Sequence, residues 1–175
     1  MEPMRIARAE IVLHDFTTPP GLVVSRIELS GEGLEPHSDR LDAEGPIPFR
    51  ATVEELALAE FLDREKPGGL TGFAVRIQPE SISIRATKRV ILAIPLAVEC
   101  VMEVEDRRRL NIRLLEASAF GAGVKTLAEN EIAKANPVFD AADVPVRLEF
   151  NRVELGDGSL VLIGELYGPL GAPGG

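Results

Sequence analysis

Every second residue from position 90 to position 104 is apolar: Val90, Leu92, Ile94, Leu96, Val98, Cys100, Met102 and Val104. Alternation at period two predicts a β-strand with one buried face. Fifteen residues at ~3.3 Å each reach about 50 Å, whereas a compact chain of this length spans roughly 40 Å. The strand is therefore expected to curve. Pro95 removes one ladder donor near its middle, which predicts an edge position, a bulge or a kink. The alternation keeps its phase across the proline, which favours one continuous, curved strand. The opposite face carries Ile91, Ala93, Pro95 and Ala97 in the first half, then Glu99, Glu103 and Glu105. The first half is expected to be covered on both faces and the second to be open on one.

The same reading extends along the chain. Residues 5–13 form a strand with Ala7, Ala9, Ile11 and Leu13 on one face, and a second strand sets Val23, Ile27 and Leu29 against Arg26 and Glu28. The stretch "SGEGLEPHSDRLDAEGPIP" reads as a polar loop. His37 lies in it and His14 lies at a strand end, both expected to be solvated. "TVEELALAEFLDREK" predicts a helix, with Thr52 and Glu55 as a capping box and Val53, Leu56, Ala57, Phe61 and Leu62 as its apolar face. "PGG" at 67–69 ends it. Four strands joined by short turns follow, an antiparallel meander in which Ile82, Ile84 and Ala86 precede the long strand and Leu110, Ile112 and Leu114 follow it. A second helix over 123–136 places Val124, Leu127, Ala128, Ile132 and Ala135 on one side. The last hairpin turns through "GDG", where Asp-Gly favours a type I′ turn. Its first arm switches apolar parity between Phe150 and Val153, which predicts a β-bulge at Asn151 or Arg152. The fold class is α+β, in the order β2–α–β4–α–β2. A long, strongly curved antiparallel sheet is expected to wrap along two helices in one domain over 1–167, with a flexible Gly/Pro tail at 168–175.

Composition narrows the function. Apolar residues make up 45% of the chain, enough for a core, but aromatics are only 5% and Trp is absent, so packing falls to aliphatic side chains. The net charge of −9 argues against a nucleic-acid partner, which needs a basic stripe. It also disfavours capture of the whole chain by an anionic membrane. A lipid contact would have to be apolar or use a local patch. The single cysteine, Cys100, excludes an internal disulfide and a Cys-based zinc site, and its place on the apolar face suits a small buried hydrophobe. "MEPMRIARAE" has no apolar signal region, and no run of residues is long and apolar enough to span a membrane. As it stands the chain is expected in the cytoplasm, or at the cell envelope if an export segment has been removed.

The candidate chemistry is sparse. "FGAGVKTLAE" departs from the phosphate-loop pattern, because Val124 separates Gly123 from Lys125, though free N–H groups at such a helix start can hold an anion. Glu99, Glu103, Glu105 and Asp106 read as a solvated strand face rather than a Ca²⁺ site, and Arg107, Arg108 and Arg109 as a soluble hairpin tip rather than a headgroup site. No Ser–His–Asp arrangement can be built, so no enzyme activity, cofactor or metal is expected.

A curved aliphatic sheet along a helix makes a gutter, which is either a dry core or a slot for an acyl chain. Composition alone favours the core. The segment "NPVFDAADVPVRLEFNRVELGDGSLVLIGEL", with its helix end, short linker, strand and "DG" hairpin, and the helix "TVEELALAEFL" before a strand meander resemble the bacterial LmeA-like phospholipid-binding family over residues 22–166. That resemblance implies the tubular lipid-binding (TULIP) superfold and lipid binding without chemistry at the cell envelope. Family members often begin with an export or anchor segment, and none is visible here. The groove is expected near Val98, Met102, Ile112 and Leu114, with Leu127 and Ile132 from the second helix. The partners expected are a lipid or apolar small molecule, with peripheral membrane contact and self-association left open. The alternative is a structural module with a closed core that oligomerises through its sheet edges.

Overall fold

The computed structural model describes residues 4–89, 91–118 and 124–171, with backbone only at 124. The architecture is α+β, mostly antiparallel sheet with two helices, and the sheet curls into a half-barrel. Four strands come first: β1 (Ile6–Thr17), β2 (Val23–Pro36), β3 (Arg40–Ala43) and β4 (Ile47–Glu54). Helix α1 (Glu55–Glu65) leads to the meander β5 (Leu70–Ile77), β6 (Ile82–Arg89), β7 (Ala93–Glu105) and β8 (Arg109–Ser118). Helix α2 (Val124–Ala135) and the two-residue β9 (Phe139–Asp140) precede the hairpin β10 (Arg147–Leu155) and β11 (Ser159–Tyr167), and β12 (Leu170–Gly171) closes the described chain.

Two sheets result. One runs β10-β11-β4-β2-β3-β12, with β1 on the other edge of β2, and the other runs β5-β6-β7-β8-β9. Strand β7 is continuous through Pro95, which lies opposite Thr87 of β6, while the described pairing with β8 starts only at Ala97. The proline thus falls where one edge of the strand carries no described partner, in line with its missing donor. Cys100 pairs with Leu114 and Glu99 with Glu116, so Leu115 is an extra residue that bulges β8 and bends the sheet. The bulge expected in the last hairpin is present: Phe150 pairs with Gly164 and Arg152 with Ile163, which leaves Asn151 over.

The residues expected as a polar loop and a capping box are mostly strand. Segment 47–54 alternates Ile47, Phe49, Ala51 and Val53 inward with Pro48, Arg50 and Glu54 outward. Thr52 therefore lies in β4 between Val161 and Arg26 and caps nothing. Helix α1 starts two residues later, with Glu54 in place of Thr52 as its N-cap. Glu55 donates its N–H to the Gly158 carbonyl at 3.1 Å, and its carboxylate accepts the Ile77 N–H at 3.0 Å. The helix phase moves accordingly: Leu58 and Ala59 face the core, and Leu56 is 67% exposed.

Two faces expected to be covered are open. Strand β1 is an edge strand on which Ile11, Val12, Leu13 and Phe16 remain exposed. The start of the long apolar stretch projects from the sheet, with Ile91 at 95% and Leu92 at 78% exposure. The turn expected at "GDG" is not type I′, because only Gly158 takes a positive φ (85°) there. Asp106 and Arg107 take φ of 51° and 56° instead, and Arg108 donates to the Glu105 carbonyl at 3.0 Å. At the end of the chain, Leu170 and Gly171 pair with Leu41 and Arg40, and 172–175 lie outside the described residues.

The core lies between the sheets, around Val53, Ile77, Ile82, Cys100, Leu110 and Leu160. Phe150 packs edge-on against both Phe49, at 6.3 Å between ring centroids, and Phe139, at 5.6 Å.

Candidate functional site

An apolar cleft of about 330 Å³ opens between α1 and α2 over the second sheet. The pleat builds its floor. Residues of even number on β6 and β7 share one face, so Ile84 and Ala86 lie beside Leu96 and Val98, and Ile112 of β8 extends the row. Phe61 and Leu62 form the α1 wall. Leu127, Ala128 and Ile132, one helical stripe, form the α2 wall. Leu70 and Phe73 of β5 close the end near the α1 terminus.

Two backbone devices hold the walls. At the C-terminus of α2, Asn136 imitates a strand: its side-chain oxygen accepts the Ile112 N–H at 2.8 Å and its side-chain nitrogen donates to the Ile112 carbonyl at 2.7 Å. This anchors the helix to β8. At the end of α1, the turn Pro67–Gly69 reaches across to α2. Gly68 has φ of 62° and passes close to the Glu131 carboxylate, a crossing that glycine makes without the cost of a Cβ. Lys88 of β6 donates to the Gly68 carbonyl. Glu65 and Glu131 are the only ionisable groups on the described lining, and Glu131 pairs with Lys134 at 3.0 Å.

Of the residues expected at a groove, Val98, Ile112, Leu127 and Ile132 are brought together here. Met102 lies further along β7, packed against the main core, and Leu114 sits opposite Cys100 beside the bulge. Neither lines the cleft. Sequence reasoning missed the contribution of α1 and β5. The signal available was the Phe61–Leu62 pair, followed within twelve residues by Leu70 and Phe73.

The other candidate groups are engaged elsewhere. Burial pushes the Cys100 thiol up to about 12, with the Glu99 carboxylate adding to the effect. Glu99 accepts from the hydroxyls of Ser81, at 2.6 Å, and Ser83, which hold its carboxyl below the ordinary range. Arg107 pairs with Glu149 at 3.1 Å, Arg108 with Asp140 at 2.7 Å, and Arg109 with Glu105 and Asp140 at 3.4 Å each, so these arginines face carboxylates of their own chain. His37 lies 3.0 Å from Asp42. Among the described residues, no three His, Cys, Asp or Glu side chains converge on a metal position, and no helix is long and apolar enough to cross a membrane. The glycine turn before α2, at 119–123, lies outside the described residues.

Fold and site together define an antiparallel α+β domain with an aliphatic cleft between two helices. No family model, curated protein or solved structure matches the chain.

Proposed function

We infer that the chain is a non-enzymatic binder of a phospholipid or another long apolar ligand, held in the cleft between α1 and α2. The observation that carries this reading is the lining. Its walls and floor are aliphatic or phenyl, with carboxylates only at Glu65 and Glu131. Such a surface gains contacts and sheds water when an acyl chain lies along it. Its volume falls at the low end of the ~300–1,000 Å³ usual for small-ligand sites, which suits part of a single chain. The resemblance to the LmeA-like phospholipid-binding family supports the same reading. On it, the curled sheet and its helices form a TULIP-like wrap, and the protein works at the cell envelope.

The test is solvent extraction and mass spectrometry of the purified protein, beside Ile112→Phe, which adds a ring to the cleft floor. The parent should carry phospholipid and the variant several-fold less, with unchanged circular dichroism. Equal lipid in the two, or none in the parent, counts against the cleft.

One observation favours a second reading. Strand β1 offers twelve residues of open edge with Ile11, Val12, Leu13 and Phe16 exposed beside it, a surface suited to pairing with another chain. A doubled mass in light scattering, reduced to the single mass by Leu13→Lys, is the outcome that reading expects.

A further inference from the structure

The apolar row on the floor of the cleft does not stop at its mouth. From the strand into the turn, exposure climbs from 7% at Leu96 to 36% at Ile94, and the turn residues Leu92 and Ile91 reach 78% and 95%. These last two residues sit at the turn between β6 and β7, where nothing in the described chain covers them. Two large aliphatic side chains exposed at a hairpin end contribute nothing to the core, and water is a poor environment for both.

The charge around them differs from the rest of the molecule. The chain carries a net charge of −9, yet residues 85–97 hold Arg85, Lys88 and Arg89 and no carboxylate. Lys88 lies opposite Ile94, and Arg89 opposite Ala93, so the cations collar the apolar end. Among the described residues, no carboxylate lies within ion-pair distance of these three, whereas the arginines at the opposite hairpin, 107–109, are all paired. An apolar tip with a cationic collar matches the two layers of an anionic lipid surface, acyl boundary and phosphate. It does not match a second copy of itself, because two such ends would bring like charges together.

We propose that the β6–β7 hairpin end docks the protein on anionic phospholipid bilayers. Ile91 and Leu92 enter the acyl boundary, and Arg85 and Arg89 meet headgroup phosphates, while Lys88, held on the Gly68 carbonyl, adds its charge to the collar. Ile94, exposed between that tip and Leu96 on the cleft floor, then gives an acyl chain an apolar step between bilayer and cleft. This step rests on the cleft reading above; the docking itself rests on the exposed tip and its collar.

The experiment is flotation of the full chain with vesicles of phosphatidylcholine and phosphatidylglycerol at ~2:1, against pure phosphatidylcholine, run beside lipid extraction and light scattering. The parent should float with the anionic vesicles. Partitioning should fall about tenfold or more in Ile91→Asp/Leu92→Asp, and the advantage of anionic over neutral vesicles should shrink in Arg89→Glu. Both substitutions lie at exposed positions, so the melting temperature should hold; Ile91→Ser/Leu92→Ser serves if it does not. Equal flotation of parent and tip variants overturns the docking. So does a parent that fails to float, or one whose doubled mass is lost in the tip variant, which would make the occupant a second copy. A parent without extractable lipid whose flotation still depends on Ile91 and Leu92 removes the cleft reading and leaves the docking standing.

Discussion

Asp106 and Arg107 turn the β7–β8 hairpin in the left-handed region, where a Cβ costs about 1–2 kcal/mol per residue, and neither is glycine. Backbone and charge can be separated there. Arg107→Gly removes the exposed ion pairs to Glu149 and Glu165, which are worth ~0.5 kcal/mol or less, but relieves the Cβ. Arg107→Val removes the same pairs and adds a β-branched side chain. The valine variant should lose about 1–2 kcal/mol in denaturant unfolding while the glycine variant stays level or gains. Equal losses would assign the stability to charge. Gly164 is the opposite case, fixed by space: a Cβ there would sit 2.2 Å from the Glu149 carbonyl and 2.7 Å from the Phe49 ring. Since Phe49 and Phe150 are both buried and in contact, Gly164→Ala should cost about 1–3 kcal/mol by overpacking, read as a lower urea midpoint. Asp140 sets part of the acid limit. Two hydrogen bonds from Arg108, at 2.7 and 3.0 Å, and then the Ala142 N–H at 2.9 Å hold its carboxyl far below the ordinary range. A depressed folded pKa gives stability that is present above the unfolded value of about 4 and lost as pH falls below it. The stability gap between the parent and Asp140→Asn should therefore narrow from pH 5 toward ~2; a gap that stays constant would remove Asp140 from the account.

Asn136 decides how firmly an element is held. Its paired hydrogen bonds to Ile112 are the side-chain anchor between α2 and β8. Asn136→Ala should cost about 1–3 kcal/mol, because the Ile112 backbone groups lose their partner, and it should loosen the α2 wall of the cleft. Faster amide exchange in α2 than in α1 would show it; a uniform change along the chain would not. At this scale the sequence was readable where one pattern acted alone. The meander, the α2 stripe and the bulge at Asn151 followed from parity and helical spacing. It misled where two patterns overlapped. "IPFRATVE" alternates as a strand, but Thr52 and Glu55 also have capping-box spacing, and the flanking prolines and acids read as loop. Pairing with β2 and β11 on both sides, invisible locally, made 47–54 a strand. The cleft was half legible for the same reason. Val98, Ile112, Leu127 and Ile132 share faces that spacing reveals, whereas Phe61 and Phe73 join them only through the way α1 packs on β5.

Across the whole molecule, the two sheets carry different loads. The core around Val53, Ile77, Cys100 and Leu160 joins them, and cross-sheet bonds such as Gly158 to the Ile77 carbonyl, at 3.0 Å, tie the last hairpin to the meander. The cleft and the exposed hairpin end both belong to the second sheet and its helices, while the first sheet ends in the open strand β1. A ligand in the cleft should therefore stabilise one part of the molecule more than the other. It bridges α1, α2 and the floor strands, elements that otherwise meet across an unfilled space, and binding only the native state adds stability by mass action. Local opening of the cleft walls should become rarer, while opening of β1, which no ligand touches, should not change. Hydrogen exchange on lipid-stripped and lipid-loaded protein tests this directly. Amides of 58–65, 84–86, 96–98 and 125–135 should gain protection on loading, and those of 6–17 should keep their rates. Protection gained along β1 instead, with the cleft unchanged, would move the binding surface to the sheet edge and favour a partner chain over a lipid.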